Sequence, residues 1–511
     1  MNPHQNPLPL STVVAVVGAG AMGAGIAQVA AAAGHRVRLL DSRPGAAEQA
    51  VAAIQAQFAK LADKGRLTPE AAQAAGARLL PAASSADLAD AGLVIEAIVE
   101  HLEVKRGLLR ELEAICGPDC ILASNTSSIS ITAIAAGLQR PQRLVGMHFF
   151  NPAPLMALVE IVSGLATDPC LAAMLHATAA AWGKTPVHAR STPGFIVNRV
   201  ARPFYAEGLR LLQEGAADCA TLDALMREAG GFRMGPFELM DLIGHDVNFA
   251  VTRSVWSAFF HDQRFLPSLV QQELVDAGFL GRKSGRGFYD HAAGAAQPAP
   301  ATAAPVAVPA DLAVCGDSPL AQALAARLQA AGIAFERRES FDGRVAQADA
   351  AVLFQTDGRS ATQRAAESGI ADLALIDLAL DYARAPRLAV AVARQASDGA
   401  RDAALGLLQA AGYAVSLLRD VPGLAVMRTV AMLANEAADA VNQGVCDPAG
   451  ADAAMRLGVN YPRGPLAWAD AVGVGRIHAV LQHLGAFYGE DRYRVSPLIR
   501  QAVHAGSTLH D

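Results

Sequence analysis

Residues 12–41 read TVVAVVGAGAMGAGIAQVAAAAGHRVRLLD, and the order of residue types in this stretch decides the fold of the first half of the chain. Small and β-branched residues at 12–17 predict a buried parallel strand, since no charged side chain interrupts them. A G-x-G-x-x-G turn follows at Gly18, Gly20 and Gly23. The first glycine permits a tight turn, the second lets backbone approach a pyrophosphate, and the third lets the next helix pack on the strand. Ala21 and Met22 sit at the mouth of that helix, whose N-terminal N–H groups would face the phosphates. The alanine-rich run to Ala33 continues as helix, Gly34 ends it, and residues 37–40 form a second strand finishing at Asp41. A carboxylate at that tip accepts hydrogen bonds from both hydroxyls of an adenosine ribose and repels a 2′-phosphate. NAD is therefore expected over NADP, with Arg43 weakening the preference without reversing it.

The rest of the composition narrows the class. A chain of 511 residues has room for three or four domains. A net charge of −6 with 18% charged residues indicates no nucleic-acid surface. No basic region precedes the first apolar run, which ends in the glycine turn, so neither signal peptide nor membrane span is expected. The six cysteines, at 116, 120, 170, 219, 315 and 446, show no metal-type spacing, and no metal is expected. A reducing, cytoplasmic setting is the expectation.

Downstream, residues 46–61 carry apolar side chains at helical spacing. GLVIEAI at 92–98 predicts a strand, with Glu100 and Lys105 entering a helix that runs to Ile115. A further strand at 121–123 ends in Ser124-Asn125-Thr126-Ser127-Ser128, as a ligand crevice at the carboxyl edge of a parallel sheet requires. RLVGMHFF at 143–150 is another strand, carrying His148 and followed by the turn Asn151-Pro152. The apolar strand at 157–162 holds Glu160 between Val159 and Ile161. A carboxylate there needs a partner, because burying it alone costs several kcal/mol. His148 is the candidate, and the two suggest a proton-handling pair.

From Thr192-Pro193-Gly194 onward the pattern turns helical, beginning with a helix over 195–213 that contains Asn198 and bends at Pro203. The expected organisation is a nucleotide-binding domain over 1–191, a helical domain over 192–290, and a semi-extended proline and alanine spacer over 291–310. A degenerate nucleotide-binding segment over 311–420 and a second helical domain over 421–511 complete it. The second half is a repeat: Val421-Pro422-Gly423 matches Thr192-Pro193-Gly194 after 229 residues. The same spacing takes Glu207 to Glu436, Asp223 to Asp452, and Gly235-Pro236 to Gly464-Pro465. Gly316-Asp317-Ser318-Pro319 keeps one glycine of the phosphate turn. Met427 stands at the position of Asn198, and matching Arg387-Leu388 to Arg143-Leu144 would put Val392 at that of His148.

GAGAMG, EAIVEHLEVK, SNTSS, GMHFFNPAP, TPGFIVNR and GRKSGRGFYD occur in one order between residues 18 and 290. In this the chain resembles the L-3-hydroxyacyl-CoA dehydrogenase family. The fold class implied is an α/β Rossmann-type dinucleotide-binding domain followed by an all-α domain. In the second half a degenerate Rossmann-like segment precedes a duplicated all-α domain. The resemblance implies NAD-dependent oxidation of an (S)-3-hydroxyacyl-CoA, with 3-hydroxyadipyl-CoA or 3-hydroxybutyryl-CoA of phenylacetate or fatty acid breakdown as the expected substrate in a bacterium. It implies that Gly18, Gly20, Ala21, Met22, Gly23, Asp41, Glu100, Lys105, Ser127, Asn151 and Lys283 hold NAD. His148 is implied as general base and Glu160 as its orienting acid, with Ser127 and Asn198 bonding the reacting oxygen. Lys64 is implied to meet the coenzyme A part, with Ser127 and Gln57, the last in place of the serine common in relatives. Dimers form through the helical domain in shorter relatives, so the second copy is expected to act as an internal substitute, with further homo-oligomers left open. A dehydrogenase of free 3-hydroxy acids and an inactive nucleotide-binding structural protein are the competing readings. Arg202, Arg233 and Arg253 are candidate contacts for a distal substrate carboxylate.

Overall fold

A computed structural model describes residues 6–511. It comprises two compact units, the first reaching Arg199 and including 443–459, the second formed by 200–442 and 460–511. In the first unit eight strands make one sheet: β1 (Val13–Val17), β2 (Val37–Leu40), β3 (Leu79–Pro81), β4 (Ala91–Glu96), β5 (Ile121–Ser124), β6 (Leu144–Phe149), β7 (Leu158–Ser163) and β8 (Thr185–Arg190). Their spatial order is β3-β2-β1-β4-β5-β6-β7-β8. All five residues of β1 are buried, which is why the strand reads as an unbroken apolar run. The chain moves outward from β1 to β3 and then returns to β4 on the other side of β1, so the strand order reverses at the carboxyl end of β1. That crevice is where doubly wound sheets take their ligands.

β6 and β7 run antiparallel, because the link between them is too short for a crossover helix. Their register sets His148 directly opposite Glu160. The helix expected over 195–213 is instead a short turn of helix, Val197–Val200, and a separate helix, Arg202–Gln213. Pro203 lies in the first turn of the second, where a missing N–H leaves no bond unmade. The chain therefore breaks at Ala201 and does not bend at the proline.

The second unit holds a seven-stranded sheet: β9 (Leu312–Cys315), β10 (Glu336–Arg338), β11 (Arg344–Ala348), β12 (Ala351–Gln355), β13 (Leu373–Ile376), β14 (Arg387–Val392) and β15 (Ala414–Leu417). The order is β10-β9-β11-β12-β13-β14-β15. β11 is antiparallel to both neighbours and forms a hairpin with β12, in place of the crossover that makes β4 parallel in the first sheet.

Pairing in this sheet corrects the expected match to His148. β7 pairs Leu158 with Thr185, and β14 pairs Arg387 with Ala414, each residue 229 positions further on. β14 thus corresponds to β7 and not to β6. The Asp377 N–H donates to the Ala389 carbonyl at 3.0 Å, so the spacing takes Glu160 to Ala389 and His148 to Asp377, with Val392 displaced to the far end of the strand. Two matching residues, Arg and Leu, carry no information on strand direction, and direction decides the register here.

The stretch 291–310 is extended but does not hang free. Ala303 N–H donates to the Val415 carbonyl, and the Gln409 side chain accepts from Val306 N–H and donates to the Ala304 carbonyl. Its backbone groups find partners on β15 and on the Gln409 side chain of the helix Asp398–Ala410, as buried amides must.

The helices Arg202–Gln213 and Val426–Asn442 pack on each other in the second unit, which contains both. Arg428, fully buried, donates to Glu207 at 2.6 Å, to Glu214 at 2.9 Å and to the Tyr493 hydroxyl at 2.8 Å. Among the described residues no helix is long and apolar enough to cross a membrane, and no cluster of His, Cys, Asp and Glu is arranged to hold a metal.

Candidate active site

The glycine turn separates two physical demands. A methyl at Gly18 would lie 2.5 Å from the Ala97 carbonyl oxygen, and one at Gly23 would lie 1.7 Å from that of Gly18, so protein packing excludes a side chain at both. A methyl at Gly20 would meet no protein atom within 4 Å. The backbone is therefore open at the one glycine expected to face a pyrophosphate. The helix Ala21–Ala32 starts there without a side-chain cap or an acid in its first turn, which leaves its amides available to an anion. Asp41, at the end of β2, accepts from Ala19 N–H at 2.7 Å and from Arg43 at its backbone N–H and its guanidinium. The Arg43 guanidinium holds the Asp41 carboxyl down at about 2, so it stays an anion. A cavity of about 1160 Å³ runs from Gly18 and Gly20 past Asp41 and Arg43 to Val99 and Val104. Its polar end matches a ribose and its apolar end a base, so the residues present fit the adenosine half of a dinucleotide.

Behind the crevice lies an ionic cluster. Lys105, 1% exposed, pairs with Glu96 at 2.6 Å and with Glu100 at 3.2 Å. Glu96 also accepts from the Ser124 hydroxyl at 2.7 Å. Glu100 accepts from the Thr126 hydroxyl at 2.5 Å, the Ser128 hydroxyl at 2.8 Å, and the backbone N–H groups of Ser127 and Ser128. Burial works against its charge, but these bonds and Lys105 hold the Glu100 carboxyl below its usual range. The SNTSS loop is thereby fastened to the start of the helix Leu102–Ile115.

His148 Nδ1 lies 2.6 Å from Glu160 Oε2, with the ring 6% exposed and the carboxylate fully buried. An ionised carboxylate can only accept, so the contact places a proton on Nδ1, and in the neutral ring that leaves the lone pair on Nε2. Glu160 Oε1 accepts from Ile196 and Val197 N–H at 3.1 and 3.0 Å, capping the turn Val197–Val200. Phe150 and Phe195 flank the imidazole, with ring centroids 4.5 and 5.9 Å away. From that turn Asn198 donates its side-chain amide to the Ser127 carbonyl at 3.3 Å, so Ser127 and Asn198 are in contact.

Other residues singled out in the sequence are placed as follows. Asn151 is exposed in the turn after β6. Gln57 and Lys64 are exposed, the first on the helix Ala46–Asp63 and the second at its C-terminal end. Lys283 belongs to the second unit, where it pairs with Asp246. Of the three arginines, Arg202 is buried, donates to the Thr252 hydroxyl at 3.1 Å and covers the Tyr205 ring, while Arg233 and Arg253 are exposed. The sequence reading missed Glu96, although a carboxylate inside GLVIEAI is the signal that drew attention to Glu160. Asn125, read in the sequence only as part of the polar crevice cluster, accepts from Phe149 N–H at 2.8 Å through its side-chain carbonyl and ties the SNTSS loop to the strand of His148.

Residues 13–192 match the NAD binding domain of 3-hydroxyacyl-CoA dehydrogenase, and 194–291 and 423–509 both match the C-terminal domain of the same enzymes. The chain belongs to the 3-hydroxyacyl-CoA dehydrogenase family. Like other members it is an NAD-dependent oxidoreductase. Residues 353–422 match a 3-hydroxybutyryl-CoA dehydrogenase reduced Rossmann-fold domain. The 3-hydroxyadipyl-CoA dehydrogenase of Escherichia coli K12 is 45% identical over 96% of this chain and 96% of its own length. The 3-hydroxybutyryl-CoA dehydrogenase of Bradyrhizobium diazoefficiens is 42% identical over 54% of this chain and 94% of its own. A crystal structure of 3-hydroxybutyryl-CoA dehydrogenase from Escherichia coli K12 superposes with a TM-score of 0.88 at 44% identity, covering 98% of this chain and 99% of that one.

Proposed function

We propose that the protein oxidises (S)-3-hydroxyacyl-CoA thioesters to 3-oxoacyl-CoA in the bacterial cytoplasm, in aromatic or fatty acid breakdown, with 3-hydroxyadipyl-CoA or 3-hydroxybutyryl-CoA as substrate. The observation that carries the reading is the 2.6 Å contact between His148 and a Glu160 whose other oxygen is anchored on two backbone amides. An unactivated secondary alcohol loses hydride only if its proton leaves as the carbonyl forms. His148 Nε2 takes that proton, and Glu160 stabilises the imidazolium through Nδ1. NAD, when bound, supplies the hydride acceptor. Gly18, Gly20, Ala21, Met22, Gly23 and Asp41 hold its adenosine diphosphate part, with Glu100, Lys105, Ser127 and Asn151 completing the site. Ser127 and Asn198 orient the reacting oxygen, and Lys64, Gln57 and Ser127 meet the coenzyme A part.

The buried Arg428 cluster between the two helical copies supports the view that the second copy replaces the partner found in shorter relatives. Steady-state rates with 3-hydroxybutyryl-CoA, 3-hydroxyadipyl-CoA and the matching free acids test the substrate. Thioesters are expected to exceed free acids by orders of magnitude in kcat/KM. Equal rates would overturn the thioester assignment.

A further inference from the structure

The second sheet keeps a cleft above its carboxyl edge although it has lost the phosphate turn. Gly316-Asp317-Ser318-Pro319 puts a serine where the first half has the open Gly20 and an acid just before it, and the Ser318 hydroxyl already caps Ala321 N–H at the start of the helix Pro319–Ala330. A dinucleotide therefore finds no anchor there. Yet a cavity of about 730 Å³ remains, lined by Gln355, Leu378, Tyr382, Arg463, Trp468 and Arg476. Leu378 follows Asp377, the residue at the position of His148, so this cleft is the counterpart of the catalytic one.

What lines it is neither an apolar core nor a solvated face. The side chains of Arg463 and Arg476 have no hydrogen bond or ion pair among the described residues. The nearby acids are engaged elsewhere: Asp357 with Arg359 and Arg364, Asp381 with Arg384, and Asp377 with the backbone amides of 425–427. Burial pushes the Arg476 guanidinium below its usual range. Around the two cations stand the buried Trp468 ring and the buried Tyr382, whose hydroxyl accepts from Gln355 at 2.7 Å and donates to the Asp377 carbonyl. Two guanidiniums without a hydrogen-bonded partner beside aromatic and aliphatic walls fit an anion with a flat or apolar body, with the Asp381 carboxylate also on the lining and Asp357 acting on Arg476 only through space; the volume lies in the range of small-molecule sites.

We propose that this cleft is a second, non-catalytic binding site for a small organic anion, its head group held by Arg463 and Arg476 and its body lying against Trp468. The degenerate half is then a ligand-binding module as well as a structural one.

The full-length protein is titrated with benzoate, hexanoate and phenyl phosphate, following tryptophan fluorescence. Of the three tryptophans, Trp468 alone lines this cavity. Saturable quenching by at least one of these anions is expected, and the more effective head group tells carboxylate from phosphate. Arg463→Gln with Arg476→Gln should weaken binding tenfold or more while NADH-dependent turnover is kept. Ala326→Trp, which fills the mouth and leaves both arginines in place, should do the same and guards against a folding defect in the double variant. No saturable signal from any of the three anions, or a signal that survives Trp468→Phe or either cleft variant, overturns the proposal.

Discussion

The sharpest test of the proton-handling pair is Glu160→Gln, because the surrounding structure dictates how the new amide must lie. Oε1 of Glu160 accepts from Ile196 and Val197 N–H, and Oε2 faces His148 Nδ1. Glutamine can place its single oxygen on only one side. Turning the NH2 group toward the two backbone donors would leave both amides unpaired in a buried site, at about 1–3 kcal/mol each. The oxygen therefore stays with the amides, and the NH2 group points at Nδ1. It donates to the ring, Nδ1 becomes the acceptor, and the neutral imidazole must carry its proton on Nε2. A ring protonated at Nε2 cannot take the substrate proton. Loss of the base is expected to lower kcat by roughly 10²–10⁴-fold, about 3–5 kcal/mol of barrier. Binding of NADH, measured by fluorescence, should stay unchanged, and so should the urea midpoint, since the cap on Val197–Val200 survives. NADH oxidation with acetoacetyl-CoA reads the loss. A variant within threefold of the parent rate would show that neither the tautomer nor the pair matters to turnover.

Gly20→Ala should fold with a melting temperature within about 2 °C of the parent and bind NADH at least ~10-fold more weakly, about 1.4 kcal/mol. Gly23→Ala, driven onto the Gly18 carbonyl, should lose several degrees as well as binding; equal effects at the two sites would contradict the division of labour. Lys105→Met strands the buried Glu96 and should cost about 3–5 kcal/mol in urea unfolding, much of it recovered when Glu96→Gln is added. Asp223, fully buried where it accepts from Phe237 N–H, Glu238 N–H and the Tyr289 hydroxyl, has its carboxyl pushed up to about 7 by burial. Its folded form holds a proton that the unfolded chain releases near pH 4, so its contribution is complete below pH 4 and is lost as pH rises through 7, by up to about 4 kcal/mol. Urea midpoints between pH 4.5 and 8 should fall less steeply for Asp223→Asn than for the parent, whatever the level, and parallel curves would refute the assignment.

Elements held by local pattern were legible in the sequence. β1, the glycine turn, the helix Ala21–Ala32 and β2 follow from residues within thirty positions of one another. The pairing of His148 with Glu160 was legible for a different reason: a carboxylate in an apolar strand must find a partner, and a short link offers only the neighbouring strand. What escaped was set by distant backbone. The Lys283 partner, Asp246, is 37 residues away and nothing in either segment announces it. The hairpin of β11 and β12 escaped because a buried apolar strand reads alike in both directions. The stretch 291–310 has no pattern of its own to bury, and its partners are single side chains such as Gln409, more than a hundred residues on.

The corrected register changes what the second half says about the first. At the place of His148 stands Asp377, and at that of Glu160 stands Ala389. Asp377 reaches Ala425 and Val426 N–H at 2.9 and 2.7 Å, and these residues lie 229 positions after the Ile196 and Val197 that Glu160 holds. The helix start is thus capped by a buried carboxylate in both halves, from opposite strands. Glu160 must therefore satisfy two needs: it closes a helix end that the fold always closes, and with its second oxygen it positions an imidazole. Asp377, one methylene shorter and on the other strand, meets the first need with both oxygens and has none left for a base. A single acid with both oxygens on the backbone is what remains when the chemistry is removed and the packing is kept. The imidazole, and not the buried acid, is what the first half has and the second lacks.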